Sequence, residues 1–161
     1  MKKKSEMLKA DVVQIAQEVR GQYSTKNNQD LLNAIRDKEQ IKIEYCSDAE
    51  KEESLVINGD NSSVIYLPCD SSPSRDRFTI AHELGHYFLH REENQSKSFT
   101  RRGSDKKEWQ ANWFAAELLM PEKEFRQEAL ACNNDEGALA RKFGVSQSAV
   151  SVRLKSFNKI S

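Results

Sequence analysis

Phe78-Thr-Ile-Ala-His82-Glu83-Leu-Gly-His86-Tyr-Phe-Leu-His90 decides how the rest of this chain reads. Phe78, Ile80, Ala81, Leu84, Tyr87, Phe88 and Leu89 leave the stretch almost no polar face, so it is expected to be a core helix running from Arg75 to His90. Helical residues four apart sit one turn apart on one side, so His82 and His86 can both aim at one ion. Two imidazoles and a carboxylate buried together need a partner, and a metal satisfies all three. Neutral imidazole nitrogens at about 2.0–2.1 Å suit Zn2+. Glu83 lies about 100° around the helix from His82, outside the ligand set, where it can accept a proton from water in the open fourth position.

Two neighbours complicate the helix. Gly85 costs roughly 1 kcal/mol relative to Ala, and its place near the metal side suggests that a missing side chain leaves room for substrate. His90 lies about 12 Å along the axis from His82, too far to join it without a sharp turn, and Tyr87-Phe88-Leu89 contains no hinge. It is expected to cap the helix C-terminus instead, where positive charge is favoured.

The third ligand must come from elsewhere, and the sequence has no other histidine. In Glu108-Trp-Gln-Ala-Asn112-Trp-Phe-Ala115-Ala-Glu117-Leu-Leu119, Glu108 shares a face with Ala111, Asn112, Ala115 and Leu119, while Glu117 points almost oppositely and reads as the solvated acid. Glu108 is therefore the stronger candidate, since two His and one Glu form a known catalytic zinc set. Asn112, one turn on, could orient a metal ligand.

Outward from these helices, Met7, Leu8, Val12, Ile15, Ala16 and Val19 recur at helical spacing up to Gly21, and a second helix is expected over Asp30 to Lys38. Strands are expected at Ile41 to Tyr45, Leu55 to Ile57 and Ser63 to Leu67, where Pro68 stops the last. Glu92 to Lys107 reads as an exposed polar loop, and Asp105 to Met120 as a second buried helix ending at Pro121. Short helices at Glu122 to Ala131, Glu136 to Phe143 and Gln147 to Phe157 complete the chain.

Composition sets the frame. The 161 residues fit one compact domain, and 37% hydrophobic with 31% charged content describes an ordinary globular protein. A formal net charge of zero argues against a surface built mainly for nucleic acid or anionic membrane. No run reaches the roughly 18 apolar residues of a membrane span, and no apolar run follows the N-terminal lysines. Cys46, Cys69 and Cys132 are too few and too spread for a disulfide framework, so small buried or half-buried thiols and a cytoplasmic address are expected.

The paired motifs, Phe78 to His90 and then Glu108-x-x-Ala-Asn-x-Phe-Ala-Ala-x-Leu-Leu-Met-Pro121, closely resemble the ImmA/IrrE family of metallopeptidases, over roughly Val64 to Leu154. The resemblance implies a zincin-like core in which His82, His86 and Glu108 bind zinc and Glu83 is catalytic. It further implies a cytoplasmic endopeptidase, of the phage or mobile-element type, that cleaves a helix-turn-helix repressor and so relieves repression. The expected fold is then α+β. A mainly helical zincin-like domain would occupy 1–130, with N-terminal helices in 1–40, a small three-stranded sheet in 41–68 and metal-binding helices at 75–90 and 105–120. A helix-turn-helix-like pair in 131–161 would pack on the same unit.

Several calls stay open at this level. All three histidines sit on one helix, so oxyanion stabilisation would fall to Tyr66, Tyr87, Arg101 or Arg102, or to zinc alone. Substrate is expected to add as a strand along Val64 to Leu67, unless that strand is an inner member of the sheet. Leu139 to Leu154 has the helix-turn-helix pattern, with Gly144 at the turn, Ser146 as cap and basic Arg141, Lys142, Arg153, Lys155 and Lys159 nearby. Direct DNA binding is the alternative, but packing or partner recognition is the expected role. A regulator with a non-catalytic zinc site, binding DNA or acting as an antirepressor, is the competing function.

Overall fold

Polar side chains set the helix starts. The Asp11 carboxylate accepts the Leu8 amide at 3.0 Å to open α1 (Lys9–Gly21), and Asn27 accepts from Asp30 at 2.8 Å to open α2 (Asn28–Glu39). Gln40 then turns left-handed, at φ 56°, and the chain enters β1 (Ile41–Cys46). A hairpin follows, β2 (Ser54–Ile57) and β3 (Ser63–Pro68). Ser72 caps α3 (Pro73–His90), whose first residue is the proline that a helix tolerates only there. The computed structural model describes residues 6–46, 54–58, 60, 62–91, 98–100 and 105–158.

β3 lies inside the sheet. It pairs parallel with β1 and antiparallel with β2, and β4 (Ser98–Thr100) adds antiparallel to β2, giving the order β1-β3-β2-β4. The three expected strands thus all form. The fourth arises within the stretch read as a loop, where three residues are too few to show a period. Because both edges of β3 are taken, a substrate cannot add alongside Val64 to Leu67, and the inner-strand alternative holds. Ile65 and Leu67 alternate with half-buried Val64 and Tyr66, and with Leu55 and Ile57 they join the core under α3.

α4 (Asp105–Leu119) packs between α3 and α1, and its Phe114, Leu118 and Leu119 are fully buried. α5 (Glu122–Ala131), α6 (Glu136–Phe143) and α7 (Gln147–Asn158) follow. Gly144 ends α6 at φ +67°, a conformation that a side chain would strain, and Ser146 accepts the Ala149 amide at 3.1 Å to start α7. The helix-turn-helix-like pair is tied to earlier elements. Arg77 donates to the Gly144 carbonyl at 2.6 Å, and the Asn28 side chain donates to Leu119 and Phe143 carbonyls, each at 2.7 Å.

Glu117 is not the solvated acid that the helical wheel suggests. It is 2% exposed and pairs at 2.5 Å with Arg153 of α7, which also donates to the Met120 carbonyl at 2.8 Å. Arg153 therefore leaves the set of basic residues available to a nucleic acid. Cys46, Cys69 and Cys132 are free thiols, with Cys69 exposed rather than half-buried. Among the described residues no helix is long and apolar enough to cross a membrane.

Candidate metal centre

Helical spacing on α3 and the crossing of α4 build the site. Successive turns of α3 put the His82 and His86 rings 4.9 Å apart, nearly perpendicular, and both side chains are almost fully buried. α4 crosses close enough to bring Glu108 over them. Its Oε2 lies 3.0 Å from His82 Nε2 and its Oε1 lies 2.9 Å from His86 Nε2.

That close crossing depends on Gly85. A Cβ built there would meet the Ala111 Cα at 3.0 Å, the Ala111 carbonyl oxygen at 3.1 Å and the Phe114 Cβ at 3.2 Å. The missing side chain thus makes room for α4 and not for substrate, which corrects the expectation drawn from sequence. Glu108 reaches the histidines because Gly85 lets the helices approach.

The donor set fits a divalent ion of the zinc type. One atom each from His82, His86 and Glu108 can be chosen so that all lie within 4.8 Å of one another. Tetrahedral bonds of about 2.0–2.2 Å would put ligand atoms roughly 3.3–3.6 Å apart, about 0.3–0.7 Å beyond the His–Glu separations of 2.9 and 3.0 Å. Charge states agree with this. Burial pushes His86 below the ordinary imidazole value and so favours its neutral, ligating form. Burial pushes the Glu108 carboxyl up, but the contacts with His82 and His86 outweigh it and hold the group at about 2, ionised at neutral pH. His82, His86 and Glu108 could therefore hold a metal ion.

The other candidate residues fall into place unevenly. Glu83 is buried beside His82 on α3. Asn112 Oδ1 lies 2.8 Å from His82 Nδ1. An amide oxygen only accepts, so a His82 ring that donates its Nδ1 hydrogen there would offer the Nε2 lone pair to an ion shared with Glu108. Tyr87 donates its hydroxyl to Glu39 at 2.9 Å and accepts from Arg91, so that hydroxyl is engaged on α2 rather than at the histidines. Tyr66 alternates with the core-facing Ile65 and Leu67 and so projects from the opposite face of the sheet. Arg101 and Arg102 lie outside the described residues.

His90 departs from its expected role. It has no exposure, and instead of capping the helix it stands 2.9 Å from His86 and 2.8 Å from Gln110. Gln110 itself passes unnoticed in the sequence reading. Its signal is a polar residue flanking Ala111 on the buried arc of α4.

Comparison with known proteins agrees with this geometry. A profile of the IrrE N-terminal-like domain matches residues 36–155, well over half of the chain. Over 49 residues the chain is 49% identical to Metallopeptidase ImmA of Bacillus subtilis (strain 168), an alignment covering 29% of each protein. Its fold is similar to that of a Mycobacterium tuberculosis transcriptional regulator, with a TM-score of 0.64 and 21% identity over 89% of this chain. The chain spans 46% of that longer protein, and the likeness concerns the fold alone. The extent of the profile match, with the His-Glu-x-x-His helix and its crossing glutamate inside it, places the chain in the IrrE N-terminal-like domain family of metallopeptidases.

Proposed function

We propose that this chain is a zinc-dependent endopeptidase of the cytoplasm whose substrate is a helix-turn-helix transcriptional repressor. The observation that carries the reading is the convergence of His82, His86 and Glu108, with the buried carboxylate of Glu83 beside the first of them. When bound, zinc would supply Lewis-acid polarisation of a peptide carbonyl and acidify the attacking water. The chain's own residues do the rest. His82 and His86 bind through neutral nitrogens, and Glu108 supplies one negative charge. Glu83 takes the proton of the attacking water on its carboxylate and hands it to the departing amine. Asn112 holds the His82 ring by its Nδ1 hydrogen.

The repressor as substrate rests on the family resemblance alone, while the name of the ImmA relative supports the metallopeptidase activity. A second reading has one observation in its favour. α6 and α7, joined through the left-handed Gly144, form a helix-turn-helix-like pair, which suits a DNA-binding or antirepressor protein with a non-catalytic metal. Against the DNA-binding form stands Arg153, whose guanidinium is buried against Glu117.

Glu83→Gln separates the readings. The expected protein keeps its metal, and its cleavage of a repressor substrate falls by about 10²- to 10⁴-fold. Parental cleavage rates in the variant would rule out Glu83 as the base. A variant that cuts nothing yet still relieves repression would favour an antirepressor that acts by binding.

A further inference from the structure

β1 stands at one end of the sheet, and the helices leave its far end open. Ile43 and Tyr45 are in register with Ile65 and Leu67 of β3, so all four share the face of the sheet on which α3 lies. Ile65 and Leu67 are buried there, whereas Ile43 is half-buried and Tyr45 is 59% exposed. Between this corner of the sheet, α2 and the first turns of α3 remains a cavity of about 320 Å³. α3 lines it with Pro73, Arg77 and Ile80, which recur at helical spacing on one face. Ile80 and His82 are two residues apart, hence about 200° around the helix. The cavity and the candidate metal ligands therefore lie on opposite sides of α3.

Two guanidiniums face this space, Arg36 from α2 and Arg77 from α3. Among the described residues neither has a carboxylate within ion-pairing distance. Arg77 donates through Nε to the Gly144 carbonyl at 2.6 Å and through Nη1 to Gln29 at 3.3 Å. Arg36 is poorly satisfied: Nη1 makes one long contact with Asn33, at 3.4 Å, and Nε is buried without a partner. The one carboxylate lining the cavity, Asp76, accepts from the Ser71 hydroxyl. Two like charges around one space repel, and an anion between them removes that cost and gains charge-assisted hydrogen bonds. Two arginines and one aspartate leave a single net positive charge, which matches a carboxylate better than a doubly charged phosphate. We propose that the cavity binds a small carboxylic acid with an apolar body, its carboxylate between Arg36 and Arg77 and its body against Ile43, Tyr45 and Ile80. The volume lies at the lower end of the roughly 300–1,000 Å³ of small-molecule sites. Because this site stands apart from the metal centre, it holds whether or not the chain cuts peptides.

Titration of the full chain with phenylacetate and with hexanoate, followed by NMR on the arginine Nε–H resonances, tests the proposal. At least one of the two acids is expected to shift the Arg36 and Arg77 signals saturably. Binding should be about 10- to 100-fold weaker for the neutral phenylacetamide, and weaker to the same degree for the acid in Arg36→Gln. Arg77 is left intact in this test because it also holds the Gly144 turn. No saturable shift with either acid would overturn the proposal, whether or not the variant folds. Equal binding of acid and amide, or tighter binding of inorganic phosphate than of both acids, would overturn it too. So would a folded Arg36→Gln that binds the acid as wild type does.

Discussion

Asn112 is exposed on α4, yet its side-chain oxygen meets His82 Nδ1 at 2.8 Å. Asn112→Ala should leave the unfolding midpoint close to wild type, because an exposed site tolerates truncation. It should weaken metal affinity by about 10- to 100-fold, as measured by competition with a chromophoric chelator. Wild-type affinity in that variant would mean that helix geometry alone orients His82. At this scale the sequence discloses the residues that obey the helical period. His82, His86, Glu83 and Glu108 follow from spacing and from the apolar residues around them. His90, Gln110 and Glu117 do not, because each has a partner on another element. A wheel of α4 shows that Glu117 faces away from the histidines. Only the tertiary structure shows that α1 and α7, and not water, cover that side.

Gly85 ties a residue to the crossing of two elements. Gly85→Ala gains about 1 kcal/mol in helix propensity but forces a methyl group against the Ala111 backbone and Phe114, where overpacking costs about 1–3 kcal/mol. The contacts at 3.0 and 3.1 Å are to backbone, which cannot rotate aside, so the balance should favour destabilisation. A lower urea midpoint, together with weaker metal binding as Glu108 is pushed from the histidines, is the expected outcome. A raised midpoint with unchanged metal affinity would show that the helices separate freely. Element ends are legible in part: Pro121 stops α4 as expected, but α2 and α3 start at Asn28 and Pro73, ahead of the expected Asp30 and Arg75, because Asn27 and Ser72 cap them earlier. Strand order is not. The parallel pairing of β1 with β3 joins segments separated by the whole of β2, and local pattern carries no information about that register. β4 is too short to carry a pattern at all.

Across the molecule, Glu117 joins four elements. It accepts from Gln17 of α1 at 3.1 Å, from the Glu122 amide at the start of α5 at 3.3 Å, and from Arg153 of α7 at 2.5 Å. Burial pushes the Arg153 guanidinium down from its ordinary value, while Glu117 opposes that shift. Removing one partner of a buried pair costs about 3–5 kcal/mol because the other charge is left without compensation. Glu117→Ala should therefore lower unfolding free energy by about that amount in denaturant titration, whereas a loss under 1 kcal/mol would mean that water enters and solvates Arg153. The same pair ties α7 to α4, the helix that carries Glu108. Everything proposed for the chain's chemistry depends on three side chains from two helices meeting at one ion. Zinc stoichiometry by mass spectrometry on wild type and Glu108→Ala, after equilibration with limiting zinc, tests that most directly. One zinc per wild-type chain and a small fraction of that in Glu108→Ala is the expected result; equal zinc in the two proteins, or none in wild type, would contradict it.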